Sequence, residues 1–224
     1  MGMFQGIPEI EKLNFEPFEC NTGGLSGVLV THAHLDHCGR LPVLLKNGFK
    51  ADVLMTPATR DLTEISLLDS AKIAWEDGRG LYDTELAEET IAKFKTVDYR
   101  KPIEIGDFTA TFRDAGHILG SASIEIEDRK AKSQIKKIVF SGDLGNTPED
   151  LLQDTEHINS ADCVVIESTY GDRLHPKENP VDAMQSEINK VEVSGGTLLI
   201  PAFSLDRTQE ILHMIMHLKK RWKG

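Results

Sequence analysis

The stretch Val28-Leu29-Val30-Thr31-His32-Ala33-His34-Leu35-Asp36-His37 decides how this sequence reads. An apolar, β-branched run stops in a polar turn that holds three imidazoles and a carboxylate. Val28 to Val30 has the character of a buried strand. Side chains this polar cannot all face a core without unmatched donors and acceptors. On a tight turn at a strand's end they can point into one shared volume. Imidazole nitrogens and carboxylate oxygens together form the ligand set of borderline metals such as zinc. The plainer reading, a solvated His-rich loop, leaves the strand context and the interleaved Asp36 without explanation.

Outward from this turn, short apolar runs alternate with longer helical patterns, which predicts an α/β fold with buried strands. A strand is expected over Asp52 to Met55, closed by Thr56-Pro57. A helix is expected from Thr59 to about Trp75, with Leu62, Ile65, Leu67, Leu68, Ala71 and Ile73 at helical spacing and glycines at Gly78 and Gly80 ending it. A second helix is expected from Asp83 to Lys95, with Leu86, Ala87, Thr90, Ile91 and Phe94 on one face. From Pro102 the period becomes two. A hairpin is expected around Gly106-Asp107, then a cleanly alternating strand over Ser123 to Glu127 and another over Ile138 to Phe140. Cys163 to Ile166 and Thr197 to Ile200 read as buried central strands, joined by a helix from Pro180 to Val193. A last helix starts near Asp206, read as its N-cap, with Gln209 closing a capping box.

Composition narrows the function classes. The 224 residues carry 25 Lys+Arg against 36 Asp+Glu, a net charge of −11. That argues against a basic protein that coats nucleic acid, though not against an enzyme that grips it through a metal centre. No apolar run approaches the roughly 18 to 20 residues that span a bilayer. Three cysteines, Cys20, Cys38 and Cys163, outline no disulfide framework. They favour a reducing compartment. The opening Met1 to Gly6 has no charged and apolar secretory pattern, and Gly6 stands where a myristoylation motif needs Ser or Thr. A cytoplasmic location is expected.

Two further strand ends carry metal-ligand types. One is Gly116-His117-Ile118-Leu119-Gly120-Ser121 at the mouth of a hairpin. The other is Phe140-Ser141-Gly142-Asp143-Leu144-Gly145-Asn146. Alone, His117 reads as a turn residue and Asp143 as an Asx-turn or helix cap. With the first turn they supply enough ligands for two ions sharing a carboxylate. His213 and His217 lie four apart on the last helix. Lacking a third ligand nearby, they read as a solvated helix edge. His157 and His175 read as surface residues, Cys38 as a packed thiol, and Lys219 to Lys223 as a solvated helix end favoured by the macrodipole.

The combination resembles the metallo-β-lactamase superfamily. Glu167-Ser168-Thr169-Tyr170-Gly171 and Gly195 to Phe203, with Arg207 and Gln209-Glu210, narrow the resemblance to its β-CASP RNA-processing nucleases. The resemblance implies an αββα sandwich over 1–194, incomplete at its first strands, and the beginning of a β-CASP cap over 195–224. It implies one zinc held by His32, His34 and His117 with Asp143 bridging, and a second held by Asp36, His37 and the same Asp143. It further implies that Asp36 also orients the nucleophile, and that Glu167 is the acidic residue that supports a leaving-group histidine. The implied activity is hydrolysis of RNA phosphodiester bonds by metal-activated water, with RNA favoured over DNA. Two other readings stand beside it. One is a thioester or lactone hydrolase on the same metal core; the other is a non-catalytic RNA-binding scaffold.

The chain departs from the family pattern at both ends. It opens inside the Asp-x-Gly turn that normally follows a first hairpin, and the later cap motifs and last metal-binding histidine would lie beyond Gly224. The expectation is a piece of such an enzyme or a shortened relative. It should bind one zinc well and a second weakly, with low or no nuclease activity. The sheet edge left by absent strands is expected to promote self-association. A smaller departure is Asp206, where relatives commonly carry glycine.

Overall fold

A computed structural model describes residues 1–76, 80–131, 134–146, 151–174 and 178–221. The chain divides into two compact units, Met1–Glu167 and Ser168–Gly224.

In the first unit, helix α1 (Pro8–Glu11) precedes strand β1 (Val28–Leu29), the short helix α2 (Leu35–Cys38) and α3 (Leu41–Lys46). Then come β2 (Val53–Met55), α4 (Pro57–Glu76), α5 (Thr84–Ile91) and β3 (Phe94–Thr96). Strands β1, β2 and β3 form a parallel sheet in that order. β4 (Ile103–Ile105), β5 (Phe108–Asp114), β6 (Ala122–Asp128), β7 (Lys137–Phe140) and β8 (Cys163–Val165) form a second sheet, also in chain order. Its pairs are antiparallel except β7 with β8.

Alternation along each strand sends neighbouring side chains to opposite faces, and the two core clusters follow from it. Val28, Val53, Met55 and Phe94 pack with Cys38, Leu41, Leu44, Leu67, Ala71 and Ala87 from the helices. Leu29 and Leu54, on the other face of the same sheet, pack against Ala110, Phe112 and Ile124 of the second sheet. Helices, sheet and sheet thus form successive layers, and the α/β sandwich holds. The hairpin at Gly106-Asp107 forms as expected, with Gly106 at φ 57°.

Several expectations fail, each for a local reason. The helix begun at Asp83, whose carboxylate caps the Leu86 N–H at 2.9 Å, stops at Ile91. Phe94 to Thr96 is instead a strand, because β2 offers it a parallel ladder and a buried place for the Phe94 ring. In α4, Ile65 and Ile73 face solvent although their spacing fits the apolar stripe. Gly78 lies outside the described residues. Along β6 the alternation is lost, because Ala122 to Glu125 are all buried. Glu125 is kept there by ion pairs with Arg113 and Lys137. Cys163 to Ile166 is no central strand: β8 is an edge, with Val164, Val165 and Ile166 at least half exposed.

In the second unit, helix α6 (Pro180–Ser194) starts where Asn179 Oδ1 accepts the Val181 N–H at 2.8 Å. It ends at Gly195, in the left-handed conformation that glycine adopts without a Cβ penalty. Thr197 to Ile200 is not a strand. A strand exists only where a neighbour takes its hydrogen bonds, and none of the described residues pairs with this segment; Leu199 is 86% exposed. Helix α7 (Arg207–Arg221) lacks the expected capping box. Asp206 sits at φ 71°, outside N-cap geometry, and the Gln209 amide donates to Ser204 O at 3.0 Å. Among the described residues no helix is long and apolar enough to cross a membrane.

Candidate metal centre

Three loops at one end of the sandwich bring the chemistry together. The first leaves β1, passes His32 and reaches His34, whose extended backbone starts α2 and places Asp36 and His37 in its first turn. The second follows β5, where Ser121 Oγ accepts the N–H groups of His117 (3.0 Å) and Ile118 (3.2 Å). Gly116 turns this loop at φ 63°, and the hydroxyls of Thr56 and Thr59 hold its far side by donating to Gly120 O at 2.7 and 2.8 Å. The third follows β7 and carries Asp143. Its Gly145 N–H donates to Ala115 O at 2.8 Å, and the Glu167 carboxylate accepts the Leu144 N–H at 3.3 Å.

The side chains converge. Ligand atoms of His32, His34, His117 and Asp143 all lie within 4.8 Å of one another. His117 Nε2 is 3.2 Å from His34 Nδ1. Asp143 divides its two oxygens: Oδ2 lies 3.7 Å from both His32 Nε2 and His117 Nε2, while Oδ1 lies 3.2 Å from His37 Nε2. Asp36, more than half exposed, brings Oδ2 to 3.7 Å from the same His37 nitrogen.

Burial sets the charge states. It pushes the His32 imidazole down to about 2, helped by the facing His37 ring, so this side chain is neutral. Burial also lowers His117, with the His34 ring adding to it. The hydrogen bond from His37 holds Asp143 down at about 2 against its partial burial. Three clustered lone-pair donors and one anion make a cation-binding pocket. The sharpest sign is His32 Nε2, which is fully buried and has no hydrogen-bond partner. A buried nitrogen left without a partner needs a reason, and coordination of a cation supplies one.

The model of the beta-lactamase superfamily domain matches residues 10–194. The chain belongs to the metallo-β-lactamase superfamily. Its relatives are named as ribonucleases and transcription termination factors of the β-CASP family. Ribonuclease TTHA0252 of Thermus thermophilus is 38% identical over 96% of this chain and 48% of its own length. RNase aCSPSF2 of Saccharolobus solfataricus is 35% identical over 92% of this chain and 41% of its own. Endoribonuclease YSH1 of Kluyveromyces lactis is 31% identical over 88% of this chain and 26% of its own. The chain therefore spans half or less of the length of these relatives. Membership of the superfamily implies metal ions, and the His/Asp cluster is where this chain offers to hold them.

Of the residues singled out in the sequence, His32, His34, His117 and Asp143 share one volume, and His37 and Asp36 adjoin it through Asp143. Glu167 reaches the same loop from the end of β8. His213 and His217 face each other on α7, Nε2 to Nε2 at 3.0 Å. His157 is exposed, and His175 lies outside the described residues. Cys38 is fully buried and donates to Ala33 O at 3.3 Å; burial pushes its thiol up to about 12. The sequence pattern pointed to no role for Ser121, whose Oγ accepts the His117 N–H, or for Gly145, whose N–H ties the Asp143 loop to Ala115 O. Their signal was faint: small residues next to chemical ones inside the same motifs.

Proposed function

We propose that this chain carries the catalytic metal centre of a zinc-dependent ribonuclease. The observation that carries the reading is the convergence of His32, His34, His117 and Asp143 around the unpartnered His32 Nε2. Three imidazoles and a carboxylate suit zinc better than magnesium or calcium, which prefer oxygen ligands. His32, His34, His117 and Asp143 would hold one ion; Asp36, His37 and Asp143 would hold a second. Bound in pairs, such ions lower the pKa of water and neutralise charge developing on a phosphate. Ribonucleases among the relatives support RNA as the substrate class.

The chain's own residues divide the remaining work. Asp143 faces both ligand groups with separate oxygens and ties them into one unit. Asp36, open to solvent, is placed to hold and orient a water molecule. Glu167 positions the Asp143 loop through Leu144 N–H. The ligand set for a second ion, one imidazole and two carboxylates, has fewer nitrogen donors than the first, so a second ion would be held less tightly.

The test is cleavage of end-labelled single-stranded RNA by the full chain at high concentration. The reading expects slow cleavage that is lost on chelation, restored by zinc, and absent in Asp143→Ala. Turnover of a small thioester without RNA cleavage would replace it with the hydrolase alternative. Chelator-insensitive RNA binding without cleavage, unchanged in a His32→Ala, His34→Ala variant, would favour the scaffold.

A further inference from the structure

The Thr31 side chain stands between the two ligand groups. Its Oγ1 lies 3.2 Å from His32 Nδ1 and 3.5 Å from His37 Nδ1. These are the ring nitrogens opposite the ones that face Asp143: both histidines turn Nε2 toward that carboxylate. One hydroxyl therefore backs a histidine from each group. A hydroxyl oxygen has two lone pairs and can accept from both Nδ1–H groups at once.

The other half of the side chain explains why it points that way. A Cβ placed on Gly142 would lie 2.9 Å from Thr31 Cβ and 3.2 Å from Cγ2. The methyl side of Thr31 thus fills the space that Gly142, at φ 59°, leaves empty beside Asp143. The Thr31 carbonyl accepts the Ala122 N–H at 2.8 Å and pins the backbone to the start of β6. Backbone and methyl are both held, so the hydroxyl has one direction left, toward the imidazoles.

From this geometry we infer that Thr31 is a positioning residue that orients the His32 and His37 rings through Nδ1 and sets the tautomer of His32, leaving its Nε2 free to ligate. The inference rests on the metal-centre reading above. The chemistry is general: a metal-binding imidazole is oriented by the hydrogen bond its other nitrogen makes. For His32 it is also required by burial. Nε2 has no partner, so the proton of the neutral ring belongs on Nδ1, where Oγ1 receives it. A single hydroxyl serving both groups makes their affinities interdependent.

Two variants separate the hydroxyl from the methyl. Thr31→Val keeps the shape and removes the acceptor; Thr31→Ser keeps the hydroxyl and removes the methyl. Zinc affinity of the full chain is measured by competition with a chromophoric chelator. The His32 tautomer is read in the metal-free protein from imidazole ¹⁵N shifts. Thr31→Val should weaken zinc binding about 10- to 100-fold and mix the His32 tautomers, while Thr31→Ser stays within about threefold of wild type. Wild-type affinity in Thr31→Val, or an equal loss in Thr31→Ser, overturns the inference, as does an Nε2–H tautomer in the wild-type protein. Wild-type chain that binds no zinc while His32 shows the expected tautomer would contradict the metal reading and leave the Thr31 assignment standing.

Discussion

Gly145 crosses the backbone at Gly116 so closely that a Cβ on residue 145 would lie 1.5 Å from the Gly116 carbonyl oxygen. The same crossing carries the bond from Gly145 N–H to Ala115 O. It fastens the loop of Asp143 to the loop of His117, two residues of the candidate metal centre from opposite ends of their motifs. No rotamer change relieves this contact, because both partners are backbone.

Gly145→Ala is therefore expected to separate the two loops. Overpacking of this kind costs about 1–3 kcal/mol or more. Denaturant unfolding with chelator present should show the loss of stability. Zinc titration of the folded variant should show weaker binding, while β4, at the far edge of the second sheet, keeps its amide protection.

Glu125 sits on β6 with only 5% of its surface exposed, paired with Arg113 and Lys137, and Arg113 reaches on to Glu156 at 3.0 Å. Glu125→Gln leaves two cations facing a neutral amide and should cost about 1–3 kcal/mol. In a double-mutant cycle, Glu125→Gln with Lys137→Met should lose less than the sum of the single changes. Chemical denaturation at neutral pH measures both.

Asp206 holds a left-handed backbone at φ 71°, and burial, with Glu210 nearby, pushes its carboxyl up to about 6. An acid whose folded pKa exceeds its unfolded value of about 3.9 binds more protons when folded, so its contribution to stability falls as pH rises from about 4 to 6. Asp206→Asn keeps a side chain tolerant of the left-handed region and removes the charge. Its gain over wild type should be largest near pH 7 and vanish below about pH 4. Paired thermal unfolding curves across that range check the sign.

The thiols should differ sharply in reactivity. Cys20 is exposed, whereas Cys38 is fully buried with its pKa pushed up to about 12. Because the thiolate is the nucleophile, a maleimide should label Cys20 within minutes and leave Cys38 unmodified until denaturant is added. Peptide mass mapping distinguishes the two.

Much of this site could be read before the fold was known, because its residues break the hydrophobic pattern where strands end. His32, His34, Asp36 and His37 announced themselves that way, whereas His117 and Asp143 read as turn residues alone and gained weight only beside them. What could not be read was whatever depends on a neighbour. Phe94 to Thr96 became a strand because β2 lies beside it, and Val164 to Ile166 lost their expected burial because β8 is an edge. Glu125 looked like the polar half of an alternating strand until Arg113 and Lys137 enclosed it. Thr31 and Gly145 were legible as letters in motifs, but their work depends on Gly142 and Gly116, which only the tertiary fold brings near.

In the proposed centre, His32, His34, His117 and Asp143 would form one strong zinc site, with a weaker one at Asp36, His37 and Asp143. Metal content per chain after zinc loading and exhaustive dialysis tests it most directly. One zinc should be retained, lost in His32→Ala and kept in a His213→Ala, His217→Ala variant. Two tightly held ions, none, or retention in His32→Ala would contradict it.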